Sequence, residues 1–150
     1  MEERIEEFIG EHHLLTFAAA GGVDIWCASA FYAWCKEEQA FIITSDETTR
    51  HIRLALENGK GMIAGNIALE TETIGLIRGL QFKARLIQAK EDGFFGKYRT
   101  LYLKRFPYAV LKGGEVWILE ILEAKFTDNR LGFGKKLYWR RGDEDTSSAS

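Results

Sequence analysis

Little in this sequence marks a specialised class of protein. Cysteine occurs only at Cys27 and Cys35, without the tight spacing of redox or zinc motifs. On one regular strand the two would share a face, yet lie too far apart along it to bridge. Two reduced, partly buried thiols in a cytoplasmic protein are the expectation. Neither charge sign dominates: 20 Lys and Arg against 22 Asp and Glu leave a net charge of -2, which argues against a nucleic-acid-binding surface. No apolar run approaches the roughly 20 residues of a membrane span. The N-terminus, Met1-Glu2-Glu3-Arg4, is acidic, unlike the basic and then apolar start of a signal peptide. With 3 histidines, hydrolytic chemistry has few options, and no Ser-His-Asp or Cys-His constellation is legible. His12-His13 has no carboxylate or cysteine at useful ligand spacing. Proline occurs once, at Pro107, and no stretch reads as a domain linker or an internal repeat.

What is present is an ordinary globular composition, 46% hydrophobic and 28% charged in 150 residues. One domain of this length buries roughly two-thirds of its unfolded surface. The pattern predicts a helix over residues 2–11 and strands over Leu14–Ala20 and Ile25–Trp34, joined by a Gly21-Gly22-Val23-Asp24 turn. A third strand follows over Ala40–Thr44, a helix over 46–57, and a strand over Met62–Ile67. The next strand runs from Ile74 to about Ala89, where Gly79 predicts a bulge or a close approach. The stretch Asp92–Phe106 puts Phe95, Tyr98, Leu101, Tyr102 and Phe106 on one helical stripe, ended by Pro107. Strands over Val116–Thr127 and Lys135–Arg141 complete a single domain spanning 1–141. The acidic, Ser-rich tail 142–150 is expected to be disordered. Consecutive strands with helices at the ends and corners favour a mainly β (α+β) antiparallel barrel with peripheral helices.

The stretch from Ala40 to Arg53 is the most informative. Ser45 or Asp46 can cap a helix that Asn58-Gly59 stops, and Thr48, Ile52, Ala55 and Leu56 share one face of it. Thr49, Arg50 and His51 then fall in the first turn, beside the positive end of the helix dipole. Hydroxyl, guanidinium, imidazole and free backbone N–H groups together form a pocket suited to a phosphate. The alternative is a solvated first turn, with Arg53 paired to Glu57 and Arg50 merely exposed. By contrast, Gly132-Phe133-Gly134-Lys135-Lys136 lacks the spacing of a phosphate loop, and its glycines fit a turn into the last strand.

Several blocks extend this picture along the chain. They are Leu14 and Thr16, Ile25-Trp26-Cys27-Ala28-Ser29-Ala30-Phe31-Tyr32, Thr49-Arg50-His51, and Leu76-Ile77-Arg78-Gly79-Leu80-Gln81-Phe82-Lys83. Arg105-Phe106-Pro107, Lys125-Phe126-Thr127-Asp128-Asn129 and Leu131 to Lys136 continue the series. In this order the chain resembles the FMN-binding split-barrel proteins related to pyridoxamine 5′-phosphate oxidase, and more narrowly the YhbP family of bacterial proteins. The resemblance covers about residues 8 to 141.

The resemblance implies a split β-barrel homodimer with two FMN sites at the subunit interface. Thr49, Arg50 and His51 would hold the flavin phosphate. Ala28, Ser29, Ala30, Ile43 and Thr44 would line the isoalloxazine and ribityl chain, where short side chains let a flat ring approach the backbone. Gln81 also falls among the implied cofactor residues, and Lys135, Trp139 and Arg140 would come from the partner's C-terminal strand. His51 stands where lysine is common in the superfamily, which lowers the charge available to the phosphate. Trp26, Trp34, Trp117 and Trp139 are candidate interface anchors. Two functional classes follow. One is an FMN-dependent oxidoreductase acting on a small molecule, with NAD(P)H as a candidate donor. The other is a non-catalytic flavin- or haem-binding protein using the same cleft.

Overall fold

Alternation of apolar side chains decides the architecture of the computed structural model, which describes residues 1–90, 96–111, 113–132 and 134–143. Along β1 (Leu14–Gly21), Leu15, Phe17 and Ala19 are buried and the intervening side chains are not. The same period continues in β5 (Met62–Ala68) through Ile63 and Ile67, and in β6 (Arg78–Gln88) through Leu80, Phe82, Ala84 and Leu86. A sheet with one apolar face must cover it. This one does so by curling, so that those residues meet Phe41 and Ile43 of β4 (Ala40–Ser45) and Trp117, Leu119 and Phe126 of β7 (Glu115–Asp128). Among the described residues the antiparallel sheet is 8-stranded, in the order β2-β1-β5-β6-β7-β4-β3, where β2 is Asp24–Phe31 and β3 is Ala33–Cys35, with β8 (Lys136–Arg140) also paired to β7. Helix α1 (Glu3–Glu11) closes the core with Ile5, Phe8 and Ile9, and α2 (Arg50–Glu57) adds Ile52, Leu54 and Ala55. On the other side of β4, α3 (Lys97–Arg105) packs Tyr98, Leu101, Tyr102 and the following Phe106 into a second cluster with Cys35, Ile42 and Val116. Among the described residues, no helix is long and apolar enough to cross a membrane.

Close packing leaves no room for a side chain at residue 65. A Cβ there would lie 2.5 Å from the Thr16 carbonyl oxygen and 2.6 Å from the Phe82 ring, so glycine lets β1, β5 and the Phe82 ring approach.

One strand joins the halves of the sheet. β7 is 14 residues long; β6 follows the length of one edge, while β4 (to Glu120) and β8 (from Glu123) share the other. At the junction the register with β6 shifts, leaving Leu122 as an extra, bulged residue. Arg141 satisfies the backbone there. Its N–H donates to the Leu122 carbonyl at 2.9 Å, Nε to Ile121 at 2.7 Å, and Nη2 to Glu38 and Gln39, both at 2.9 Å.

The structure corrects several sequence expectations. The single strand expected over Ile25–Trp34 is two, β2 (Asp24–Phe31) and β3 (Ala33–Cys35), pairing with β1 and β4 respectively. Tyr32 makes the break: its N–H donates to the His13 carbonyl, its hydroxyl to Ile9, and its own carbonyl accepts from Arg105. Cys27 and Cys35 therefore lie on different strands, the first exposed and the second buried. Helix α2 begins at Arg50, not at 46, because Asp46 folds a turn by accepting from Thr48 N–H and hydroxyl. Its face differs accordingly: Leu56 is exposed and Leu54 is buried. Ile74–Leu76 is a 3₁₀ turn preceding β6, not part of it. Gly79 sits in regular ladder, a Cβ there meeting only the Ile67 carbonyl at an ordinary 3.5 Å, and the bulge falls at Leu122 instead. Trp117 is a core residue, 1% exposed, and no interface anchor. Residues 91–95, with the expected start of α3 and Phe95, and tail residues 144–150 lie outside the described residues.

Candidate functional site

The barrel is split between two strand edges. β2 ends the sheet on one side, and opposite Phe17 and Leu15 it carries Ala28 and Ala30, both half-buried, on the core-facing side. On the other side is β4. The Gln39 carbonyl accepts from Ile121 N–H, so strand alternation turns the backbone groups of Phe41, Ile43 and Ser45 toward β7 and those of Ala40, Ile42 and Thr44 toward β3. The β3 ladder ends at the Ala33–Ile42 pair, and Thr44 is left with its N–H and C=O facing the split. Ile43 is fully buried, its side chain in the core. His51 meets Phe17 edge-on, ring centroids 5.4 Å apart, which brings the first turn of α2 to the same opening as the Phe17–Ala28 pair.

At that turn three polar side chains converge. Ser45 Oγ lies 3.0 Å from His51 Nε2, Thr49 Oγ1 lies 3.2 Å from it, and the two hydroxyl oxygens are 3.5 Å apart. Thr49 occupies the N-cap of α2 but makes no capping bond. Its hydroxyl proton goes to the Asp46 carbonyl at 2.9 Å. A carbonyl only accepts, so a bond between Thr49 and His51 requires the proton on Nε2. That tautomer leaves the Ser45 O–H, whose proton otherwise faces only Thr49 Oγ1 across 3.5 Å, to turn to a ligand, along with the uncapped first-turn N–H groups. It also means that Nε2 is no base for Ser45, and among the described residues no carboxylate orients the imidazole, so the pair is not a hydrolytic dyad. Burial pushes the His51 imidazole below its ordinary value of 6.5, and the ring is neutral at neutral pH.

Arg50 departs from both readings of the first turn. It is neither aimed at this cluster nor merely exposed. Its Nε donates to Asp24 Oδ2 at 3.1 Å and its Nη2 to Oδ1 at 2.6 Å, while the guanidinium lies 4.1 Å over the Trp26 ring centroid. The ion pair holds the Asp24 carboxyl below its usual range.

Other expected site residues lie elsewhere. Ser29 faces the outer side of the sheet, its Oγ 3.0 Å from Thr16 Oγ1. Gln81 and Arg140 line a recess of about 1050 Å³ on that outer side, together with Ala18, Lys83 and Lys125; Trp139 borders it too, but its ring packs against the core cluster. The register sets Ser29, Thr16, Asn66, Gln81, Lys125 and Tyr138 opposite one another as a polar row across six strands. Lys135 belongs to neither place; it ends a turn, its N–H bonded to the Gly132 carbonyl. So Ala28, Ala30, Thr44, Thr49 and His51 are brought to one opening, and Gln81, Trp139 and Arg140 to another. Ser45, expected as a helix cap, Asp24, expected only in a turn, and Trp26, expected as an interface anchor, join the site unforeseen. The signal for Ser45 was its place at the strand end, six residues before His51.

A curled antiparallel sheet opened along a β2–β4 split is a split barrel. Solved structures with this fold include ChuZ from Campylobacter jejuni (TM-score 0.73, 14% identity, 93% of this chain and 59% of that one). Others are a heme binding protein from Mycobacterium smegmatis (0.70, 13%, 88% and 54%) and a FAD-binding protein from Mesorhizobium loti (0.65, 7%, 81% and 87%). The chain thus spans little more than half the length of the first two. No family model matches it. Closer relatives are UPF0306 proteins of Yersinia pestis and Yersinia pseudotuberculosis, 39% identical over 137 residues, 91% of this chain and 91% of theirs. The chain belongs to the UPF0306 family.

The half-buried imidazole yields a pH dependence. Below 6.5 the unfolded chain takes up a proton that folded His51 resists. The His51 contribution is therefore full above that pH and is lost as pH falls toward the folded value. Urea midpoints followed from neutral pH into the acid range should drop less for His51→Gln than for the unmodified protein. Parallel curves would remove His51 as the cause.

Proposed function

We propose that this protein binds FMN in the split between β2 and β4, and acts in the cytoplasm as a dimeric, flavin-dependent oxidoreductase on a small molecule. The convergence of Ser45, Thr49 and His51 on an uncapped helix start carries the reading. Ser45 O–H and the first-turn N–H groups would hold the phosphate against His51, whose Nε2–H positions the two hydroxyls, and the neighbouring Arg50 would add its guanidinium. Ala28 and Ala30 leave space for a flat ring, and Thr44 offers it a backbone donor and acceptor. Bound FMN would supply the hydride chemistry. The chain's part is to bind and orient it, with Arg140 of a second chain placing positive charge where an anionic substrate or NAD(P)H could dock. Solved proteins of this fold are named for heme and for FAD. The flavin reading is preferred because the histidine at the opening, His51, is engaged through Nε2 by Ser45 and Thr49.

A phosphate contact from Arg50 is worth on the order of 1.5–3 kcal/mol, about ten- to a hundredfold in affinity. Arg50→Ala should lose that factor for FMN and almost none for riboflavin. Equal weakening would place the phosphate elsewhere, and a Soret band with haemin but no FMN spectrum would favour the haem reading.

Dimerisation is supported by the two separate openings, since Gln81, Trp139 and Arg140 of a second chain could complete a flavin site begun by α2. Leu14, Ile25 and Phe31 stand 48%, 67% and 50% exposed on the outer face. Sedimentation at low concentration should show a dimer; a stable monomer would contradict it.

For the chemistry, NADH or NADPH should bleach the bound flavin bands anaerobically, with recovery in air. Reduction no faster than that of free FMN would leave a flavin carrier.

A further inference from the structure

The Asp24–Arg50 ion pair bears directly on the anion site. Asp24 begins β2 at the hairpin with β1, and its Oδ1 also accepts from Ile25 N–H at 3.0 Å. Both ends of the pair are 43% exposed, so water can replace either partner at modest cost. Trp26, on the same strand face as Ala28 and Ala30, supports the guanidinium from one side. Arg50 is thus held beside the split, with its charge answered by a carboxylate of the same chain.

We propose that Asp24 is an affinity-determining residue of the anion site: its carboxylate holds Arg50 while the site is free, and a phosphate ester must draw the guanidinium away or share it. This inference rests on the FMN reading. Two anions competing for one guanidinium weaken each other, and sharing leaves like charges close together. In either case Asp24 lowers the affinity for a phosphorylated ligand and is indifferent to the same ligand without phosphate.

Titration of FMN and riboflavin into the unmodified protein, Asp24→Asn, Arg50→Ala and the double variant tests this. Asp24→Asn should bind FMN about two- to fivefold more tightly, the range of an exposed ion pair, with riboflavin unchanged. The gain should vanish in the Arg50→Ala background. Asp24→Ala should give the same sign, which guards against one variant misfolding, and thermal melts report folding for each. Unchanged or weaker FMN binding by both Asp24 variants would overturn the proposal, and weaker binding would make Asp24 a clamp that positions Arg50. A gain that persists without Arg50 would also overturn it, leaving simple repulsion. Failure of the FMN reading looks different: the unmodified protein would not distinguish FMN from riboflavin, and Arg50→Ala would change neither. That result removes the anion site and this role of Asp24 together.

Discussion

The fork in β7, held by Arg141, is the constraint from which the rest of the structure follows. A bulge at Leu122 frees backbone groups in the middle of the sheet, where an unpaired carbonyl is costly. One guanidinium and its own N–H satisfy carbonyls on both sides of the junction. With the fork stable, β4 and β8 can leave the same edge of β7 in different places. β4 is then paired by β7 to its end at Ser45 but by β3 only as far as Ile42. Trp117 pins that end from within the core, its Nε1 donating to the Ser45 carbonyl at 2.9 Å. The short β3 leaves the edge open, and α2 starts where the edge is open.

The resulting site is polar rather than strongly cationic. A neutral imidazole, the Ser45 and Thr49 hydroxyls, first-turn N–H groups and a guanidinium already paired to Asp24 would make a restrained anion site. On the proposed reading, hydrogen-bond geometry, more than net charge, would select a phosphate there. A lysine at the position of His51 would hold phosphate more strongly through charge. The imidazole instead anchors Ser45 and Thr49 to each other and packs on Phe17, so it serves the core and the opening together.

Much of this was legible in the sequence where periodicity and turn chemistry act locally. Alternation in β1 and β6 and the Thr49-Arg50-His51 turn were readable because neighbours along the chain decide them. The break at Tyr32 was not, since it depends on partners in α1 and α3. Nor was the bulge, which sits at Leu122 although Gly79 looked the better candidate; bulges answer to sheet closure, not to residue type alone. The direction of Arg50 was hidden for the same reason. Asp24 lies far from it in sequence and reaches it only because β1 and β2 lie beside α2. Distinguishing Ala28 and Ala30 from Ser29 required only strand alternation, but their facing side required the fold.

On the proposed reading the FMN phosphate sits against His51. NMR titration of the His51 imidazole in the free protein, with FMN and with riboflavin, tests it most directly. A phosphate dianion beside the ring favours its charged form, so FMN should raise the His51 pKa while riboflavin leaves it near its depressed free value. If the two ligands act alike, or if FMN leaves His51 unmoved while bound, the phosphate lies elsewhere and the account is wrong.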